Sequence, residues 1–433
     1  MISKNALGLE AGDTSPIVVN GDRVITRGEL RARADSLLDF MAQHGVTRLM
    51  ALSDDPEHIL RAIDAADRSG ADLYIAHTNL PQLQIDALID KFGIQLVVGT
   101  EDRLSGQREP GPVSTGRVFM MTSGTTGVPK VASHSLAGLM SRARGGMSPR
   151  NRGAKWLLTY QPTGFAGIQV QLTAVIGDGL IVAPHERSPS GFVQAARANN
   201  VAQISATPTF WRSFLMAVRP GEVALRQITL GGEAADQSTL DRVKKAFPDA
   251  HITHIYASTE AGVVFAVHDG REGFPAEWLS APVQGVELRI TDGFLNIRTP
   301  NAMGGYVSDT AQPLSKDGWL ATADRVDIRG DRAFIVGRDD STINVGGSKV
   351  YPLMVEQFLL KQPGVLEARV FGVPSPIAGA IVAGEIVIDK ALDPVETRAN
   401  VLAACREGLA SYQVPRTFKV VDAIVVKQSG KKG

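Results

Sequence analysis

The run Thr122-Ser123-Gly124-Thr125-Thr126-Gly127-Val128-Pro129-Lys130 carries the densest chemistry in this 433-residue chain. Gly124 and Gly127 let the backbone approach a ligand closely, so main-chain N–H groups can point at phosphate oxygens. The hydroxyls of Ser123, Thr125 and Thr126 add donors, and the Lys130 ammonium adds a charge suited to phosphate. The spacing is not that of a Walker loop, which needs Gly-Lys followed by Ser or Thr. A polar surface loop is the competing reading, and the unbroken small and hydroxylated run weighs against it. Two later segments, Gly231-Gly232-Glu233 and Tyr256-Ala257-Ser258-Thr259-Glu260, each follow an apolar strand-like run. Carboxyl ends of strands are where α/β sheets bind ligands. A Thr-Glu pair in the first turn of a helix is the plainer alternative for Thr259 and Glu260.

These segments need a frame that presents several strand ends side by side. Residues 16–19 and 23–25 predict a hairpin turning at Asn20-Gly21. Thr26 and Glu29 predict a capping box for a helix with Leu30, Ala34, Leu37, Leu38 and Met41 on one face. Residues 48–52, 71–76 and 96–98 read as strands, separated by helices at 58–67 and 83–92, which implies parallel βαβ units. The segment 101–115 reads as a surface connection. The pattern resumes with strands at 118–121, 179–183, 202–206, 226–230 and 252–256. Beyond Gly270, short strands punctuated by Gly, Pro and Asp predict a β-rich subdomain. The tail combines helices at 353–360 and 393–409 with strands at 367–371 and 382–388.

Composition sets outer bounds. The chain is 44% hydrophobic and 21% charged, which fits an ordinary soluble core. Its 45 basic residues balance 45 acidic ones, so no overall field attracts nucleic acid or anionic lipid. The single cysteine, Cys405, excludes an intrachain disulfide and fits a reducing compartment. It lies in a helical run and reads as a small buried hydrophobe rather than a nucleophile. No apolar run approaches the roughly 20 residues that span a bilayer, and no secretory leader pattern opens the chain. A cytoplasmic protein without a membrane span is expected.

The loop from Thr122 to Lys130, with His134 shortly after it, resembles the phosphate loop of the adenylate-forming superfamily: acyl-CoA synthetases, nonribosomal-peptide adenylation domains and firefly luciferase. The other motifs of that family follow in order. By this resemblance Thr122, Ser123, Gly124, Thr125, Thr126 and Gly127 grip ATP, as do Gly232, Glu233, Tyr256, Ala257 and Ser258 on the adenine side. Thr259 would contact phosphate or the substrate carboxylate, and Glu260 would help hold Mg²⁺, a hard cation that suits a carboxylate. Thr322-Ala323-Asp324 resembles the ribose-binding motif, where Asp324 can accept from both ribose hydroxyls. In Gly337-Arg338-Asp339-Asp340, Arg338 would touch the nucleotide and Asp340 would be the hinge. Gly346 and Gly347 would line a thiol tunnel. Ser429-Gly430-Lys431 resembles the stretch with the catalytic lysine, so Lys431 joins Thr259 and Lys130 as catalytic residues. Ala257 and Ala323 stand where the family usually has Gly, and Met354 where it usually has an acidic residue.

The implied fold is α/β: a large N-terminal domain of βαβ subdomains plus a β-rich subdomain, with a small mobile α+β C-terminal domain. Residues 1–337 would form the first, and residues 338–433 the second. The acid pocket is expected around Tyr160, Phe165 and Gly167; Gly164 and Phe165 suggest an apolar wall. Phe210, Trp211 and Phe214 either help line it or form helix core, with core favoured. No Asp is placed to hold an α-amino group, so a hydrophobic or aromatic carboxylic acid is the expected substrate. The implied reaction is ATP-dependent formation of an acyl-adenylate, then of a thioester with CoA or with the phosphopantetheine thiol of an acyl carrier protein. A nucleotide-binding homologue without catalysis is the reading from another class.

Overall fold

The strands at 48–51, 72–75 and 96–98 are buried along their whole length, because helices cover both faces of a parallel sheet. The computed structural model describes residues 5–106, 116–122, 130–145, 147–307, 317–376 and 378–425. Four sheets organise them. The first has six strands in the order Arg103–Leu104, Leu96–Val98, Arg48–Ala51, Asp72–Ile75, Arg117–Thr122 and Lys130–Ser135. Its centre is parallel, and Arg117–Thr122 turns back antiparallel to Lys130–Ser135. The expected capping box is present: Thr26 accepts from the Glu29 N–H while the Glu29 carboxylate accepts from the Thr26 N–H.

The second sheet has eight strands: Gly262–Val267, His251–Ser258, Gln227–Leu230, Gln203–Ala206, Lys155–Leu157, Leu180–Ala183, Pro16–Asn20 and Arg23–Thr26. The N-terminal hairpin therefore joins the sheet of the chain's middle, Val18 lying beside Ile181. Trp211 and Phe214 are fully buried beneath this sheet with Ile204, Ile228 and Leu230, so the aromatic run is core. The third sheet is antiparallel, running from Phe274–Pro275 through Arg332–Arg338, Leu320–Arg329 and Phe294–Arg298 to Glu287–Thr291. The fourth begins at Ile343–Val345 and includes Ser348–Val350, Val365–Ser375, Gly379–Ile388 and Thr417–Val420. The helices Pro352–Leu360 and Pro394–Gly408 pack on this sheet, and Cys405 is fully buried among Val355, Leu359 and Val401.

One buried charge cluster joins the tail to the rest. Arg212, in the helix Pro208–Ala217, donates from Nε to Glu367 of the tail at 2.8 Å. Its Nη1 donates to Asp236 at 3.0 Å and to the Thr239 hydroxyl at 3.1 Å; Nη2 donates to the Thr209 hydroxyl at 3.0 Å. Burial alone would lower the Arg212 pKa, and Glu367 and Asp236 reverse that and raise it. Arg242 adds a bond to the Leu366 carbonyl at 2.9 Å, and Lys361 an exposed ion pair with Glu272 at 3.2 Å. Removing the cation strands two buried carboxylates, so Arg212→Met should cost about 3–5 kcal/mol. Glu367→Gln leaves the Arg212–Asp236 pair in place and should cost only about 1–2 kcal/mol. Calorimetric melting of the two variants checks this order.

Candidate active site

The carboxyl ends of the second sheet's strands face the third sheet and the tail helix Pro352–Leu360 across a cleft of about 1680 Å³. On its floor Tyr256 donates its hydroxyl to the Asp324 carboxylate. Burial and the neighbouring Asp324 charge push the Tyr256 pKa well up, so the phenol stays a donor. The Asp324 N–H donates to the Thr322 hydroxyl at 3.1 Å, and Thr322 donates to the Leu295 carbonyl at 2.7 Å. This fixes a carboxylate at the cleft's edge. Arg338 lies 3.9 Å from Asp324 and makes two bonds of 3.2 Å to Asp340. Burial opposes the Arg338 charge, but Asp324 and Asp340 outweigh it and hold its pKa up.

A second polar group gathers where the segment 303–307 pairs with the strand Lys130–Ser135. The Gly304 N–H donates to the Ser133 carbonyl at 2.7 Å, and Val307 to Val131 at 2.9 Å. That pairing brings the Tyr306 hydroxyl 2.5 Å from Glu260 Oε1, and its ring 5.5 Å from the Lys130 ammonium. Glu260 and Lys130 thus share one corner of the cleft, with Thr259 on the same wall. Glu260 keeps a second oxygen beyond the one Tyr306 occupies, and a carboxylate of this kind suits Mg²⁺.

Two glycines are required by geometry. Gly232 has φ +82°, a left-handed conformation that favours glycine. A Cβ on Gly167 would lie 2.1 Å from the Gln161 carbonyl oxygen, so that turn admits no side chain. Above it Phe165 and Gly164 form a cleft wall, and Tyr160 is buried with its hydroxyl donating to the Gly231 carbonyl at 3.3 Å. Burial pushes the Tyr160 pKa far up, keeping it neutral.

Of the residues singled out from the sequence, the structure brings Lys130, Tyr160, Phe165, Gly167, Gly232, Glu233, Tyr256, Ala257, Ser258, Thr259, Glu260, Asp324, Arg338 and Asp340 to this one cleft. The Glu233 carboxylate is occupied locally, accepting from the Thr209 N–H at 3.1 Å and hydroxyl at 2.7 Å. Gly346 and Gly347 form the turn between Ile343–Val345 and Ser348–Val350, both with positive φ, and do not line the cleft. Ser123, Gly124, Thr125, Thr126, Gly127 and Lys431 lie outside the described residues, as does the Thr122 side chain; the Thr122 backbone pairs with Lys130. Tyr306 and Arg142 are among the cleft residues that sequence reasoning missed. Nothing in Arg142's setting on an amphipathic helix marks it, yet its Nε and Nη1 are buried without hydrogen-bond partners among the described residues. Its Nη2 donates to the Asn301 carbonyl, and its guanidinium stands 5.8 Å from the Phe165 ring.

The sequence pattern of the AMP-binding enzyme family matches residues 105–307, and that of the AMP-binding enzyme C-terminal domain matches residues 354–431. The chain is similar to the 2-succinylbenzoate–CoA ligase of Bacillus licheniformis, with 25% identity over 96% of this chain and 94% of that protein. Its fold is like that of o-succinylbenzoate CoA synthetase from Bacillus subtilis in complex with the acyl-adenylate intermediate OSB-AMP. That likeness has a TM-score of 0.72 and 21% identity, over 99% of this chain and 96% of that one. It is also like ATP-bound MatB from Rhodopseudomonas palustris, with TM-score 0.77 and 21% identity, over 99% and 97%. Among the described residues no helix is long and apolar enough to cross a membrane.

His134 sits beside this cleft, 2% exposed, its ring 5.7 Å from Phe165. Burial, with Arg142 and Arg117 nearby, lowers its pKa from 6.5 to about 3. Between those values the unfolded chain takes up a proton that the folded chain refuses. Stability is therefore lost as pH falls through that window, at up to about 1.4 kcal/mol per pH unit. His134→Gln should flatten the acid limb of the melting temperature against pH, by about one proton in a linkage analysis.

Proposed function

From the premise that this chain belongs to the AMP-binding enzyme family and is an ATP-dependent, AMP-forming ligase, we propose that it joins a carboxylic acid with an aromatic or other hydrophobic body to the thiol of CoA. The observation that carries this reading is the meeting, in one cleft, of a fixed carboxylate at Asp324 with the Lys130–Tyr306–Glu260 corner. The first suits a ribose diol; the second suits a triphosphate with its cation. Phe165 and the flat Gly164–Gly167 turn supply an apolar wall for the acid. The Bacillus licheniformis relative, named for 2-succinylbenzoate, supports an acid with an aromatic body.

An oxygen of the acid's carboxylate attacks the α-phosphorus of ATP, the bond to the β-phosphate breaks, and pyrophosphate leaves. The product is an acyl-adenylate. Asp324 accepts from the ribose hydroxyls, with Tyr256 orienting it and Arg338 balancing its charge. Lys130, Thr259 and the donors of Ser123, Gly124, Thr125, Thr126 and Gly127 receive the charge that develops on phosphate oxygens. Arg142 adds buried positive charge on the wall near Phe165. Mg²⁺ held at Glu260 would supply further charge neutralisation on the triphosphate. Lys431 bridges the carboxylate and the α-phosphate. The tail, residues 338–433, then turns about Asp340 and brings Gly346 and Gly347 towards the adenylate. The thiol sulfur attacks the acyl carbon, the carbon–oxygen bond to AMP breaks, and AMP leaves with the thiol's proton passed to solvent.

Pyrophosphate release with ATP and a panel of acids tests the reading. Lys431→Ala should lower acid-dependent release about 100–1000-fold; an unchanged rate would remove Lys431 from the mechanism. Asp324→Ala should raise the KM for ATP about tenfold or more while the acid's KM stays near wild type, because a charge-assisted pair of hydrogen bonds is lost. Thioester formation with free CoA, and no carrier protein present, separates CoA from a carrier's phosphopantetheine arm as the acceptor.

A further inference from the structure

Resting on the ligase reading, we infer that His77 is a further catalytic residue of the same site. Its Nε2–H donates to the acid's non-attacking carboxylate oxygen, and stays on that oxygen while the thiol displaces AMP.

Strand register sets His77 where the acid and the phosphates have to meet. Ile75 lies beside Met120, and on the next strand Met120 lies beside Ala132 and Thr122 beside Lys130. His77, two residues beyond Ile75, falls in the row of the Thr122 backbone and Lys130. Two strand spacings put it on the order of 10 Å from Lys130. The same face of this sheet carries Leu73, Ile75, Val118 and Met120, which share one core with Leu158 and Ile168 of the acid side. From that side the turn leading to Gly164 and Phe165 meets His77, whose Nδ1 is 2.8 Å from the Thr163 hydroxyl. His77 lines the cleft between the Lys130 corner and the Phe165 wall. An acyl carbon with its body along Phe165 and its phosphate towards Lys130 sits in that gap.

Hydrogen bonding decides what the ring offers. Thr163 is fully buried, and its hydroxyl has no other partner among the described residues. A hydroxyl has one proton to donate, and here Nδ1 is the acceptor for it, so the ring's own proton sits on Nε2. Nε2 has no partner among the described residues, yet it is not sealed off as both nitrogens of His134 are. Burial lowers the His77 pKa from its usual 6.5, opposed by the Asp54 charge, so the ring is neutral near pH 7. A bare nitrogen would suit a thiol proton; an N–H suits an oxygen.

The two half-reactions use that donor differently. The free carboxylate is negative and passes charge to phosphorus as the adenylate forms, so in this step the donor holds the acid in place. When sulfur then bonds to the acyl carbon, the carbonyl electron pair moves onto the same oxygen. It returns as the carbon–oxygen bond to AMP breaks. Charge on the oxygen peaks between those events, where a fixed donor counts most. Lys431 leaves with the tail in the proposed turn, whereas His77 belongs to the large domain and remains.

Nitrogen-15 NMR of histidine-labelled protein near neutral pH reads the tautomer, the His77 signals being assigned by their loss in His77→Leu. A protonated Nε2 with a bare Nδ1 is expected. Kinetics are read with benzoate, cinnamate and 4-phenylbutanoate as aromatic acids. His77→Leu should raise the acid's KM in pyrophosphate release about tenfold or more. It should slow thioester formation from preformed adenylate and CoA about 100–1000-fold. His77→Gln, whose amide keeps an N–H, should recover most of both losses. Thr163→Val, which frees the ring to move its proton, should slow the transfer step about tenfold. A proton on Nδ1 beside wild-type turnover overturns the inference alone. So does wild-type transfer by His77→Leu, or equal losses in the Leu and Gln variants at the wild-type melting temperature. Absence of pyrophosphate with every acid, in a protein that keeps the Nε2 proton, overturns the ligase reading and takes the inference with it.

Discussion

Arg212 has only 3% of its side chain exposed, and a guanidinium in that position is tolerated only when it is neutralised and fully hydrogen-bonded. Its partners come from both sides of the molecule: Glu367 from the tail, Asp236 and Thr239 from the large domain. The Thr209 hydroxyl accepts from Arg212 and donates to Glu233 in the Gly-Gly-Glu loop. One continuous chain of hydrogen bonds therefore runs from the tail to a cleft loop. It sets which face of the tail, the helix Pro352–Leu360 with Glu356 and Gln357, forms a wall of the cleft.

That cluster also frames the proposed movement of the tail. A turn about Asp340 has to part Glu367 from Arg212, and Asp236 is the carboxylate that stays behind. The cation then keeps one buried partner, and the carboxylate that leaves goes with the moving piece. A network divided this way can open without stranding a lone charge in the interior, the costliest arrangement of buried ions. Arg338 is divided similarly, paired with Asp340 beside it and close to Asp324 across the strand pair.

Much of this was legible in the sequence because it is local. Strand ends rich in Gly, Thr and Glu, the Thr26–Glu29 cap and the β-rich character beyond Gly270 follow from short-range patterns, although the strands there, Leu320–Arg329 above all, run longer than the expected short ones. The core role of Trp211 and Phe214 was legible as a preference, and their full burial against Ile204, Ile228 and Leu230 of the sheet decided it. What escaped depends on distant pairing. Nothing near Tyr306 says that its segment will lie along Lys130–Ser135, and nothing near Pro16 says that its hairpin will join Leu180–Ala183. Arg142 looks like any basic residue near a helix end, and only the packing of Phe165 and Gly262 around it makes it a buried cation. His77 likewise reads as an ordinary loop histidine until register sets it in the row of Lys130 and the Thr163 hydroxyl meets its ring.

The central claim is that an acid's carboxylate oxygen attacks the α-phosphorus of ATP in this cleft. An isotope-transfer experiment tests it without reference to any single residue. The acid that the pyrophosphate panel selects is labelled with oxygen-18 in its carboxylate and turned over with ATP, Mg²⁺ and CoA, and the nucleotide product is weighed by mass spectrometry. One labelled oxygen in AMP, with pyrophosphate unlabelled, is the predicted result. Label in inorganic phosphate alongside ADP would mean attack at the γ-phosphorus, and would contradict the account.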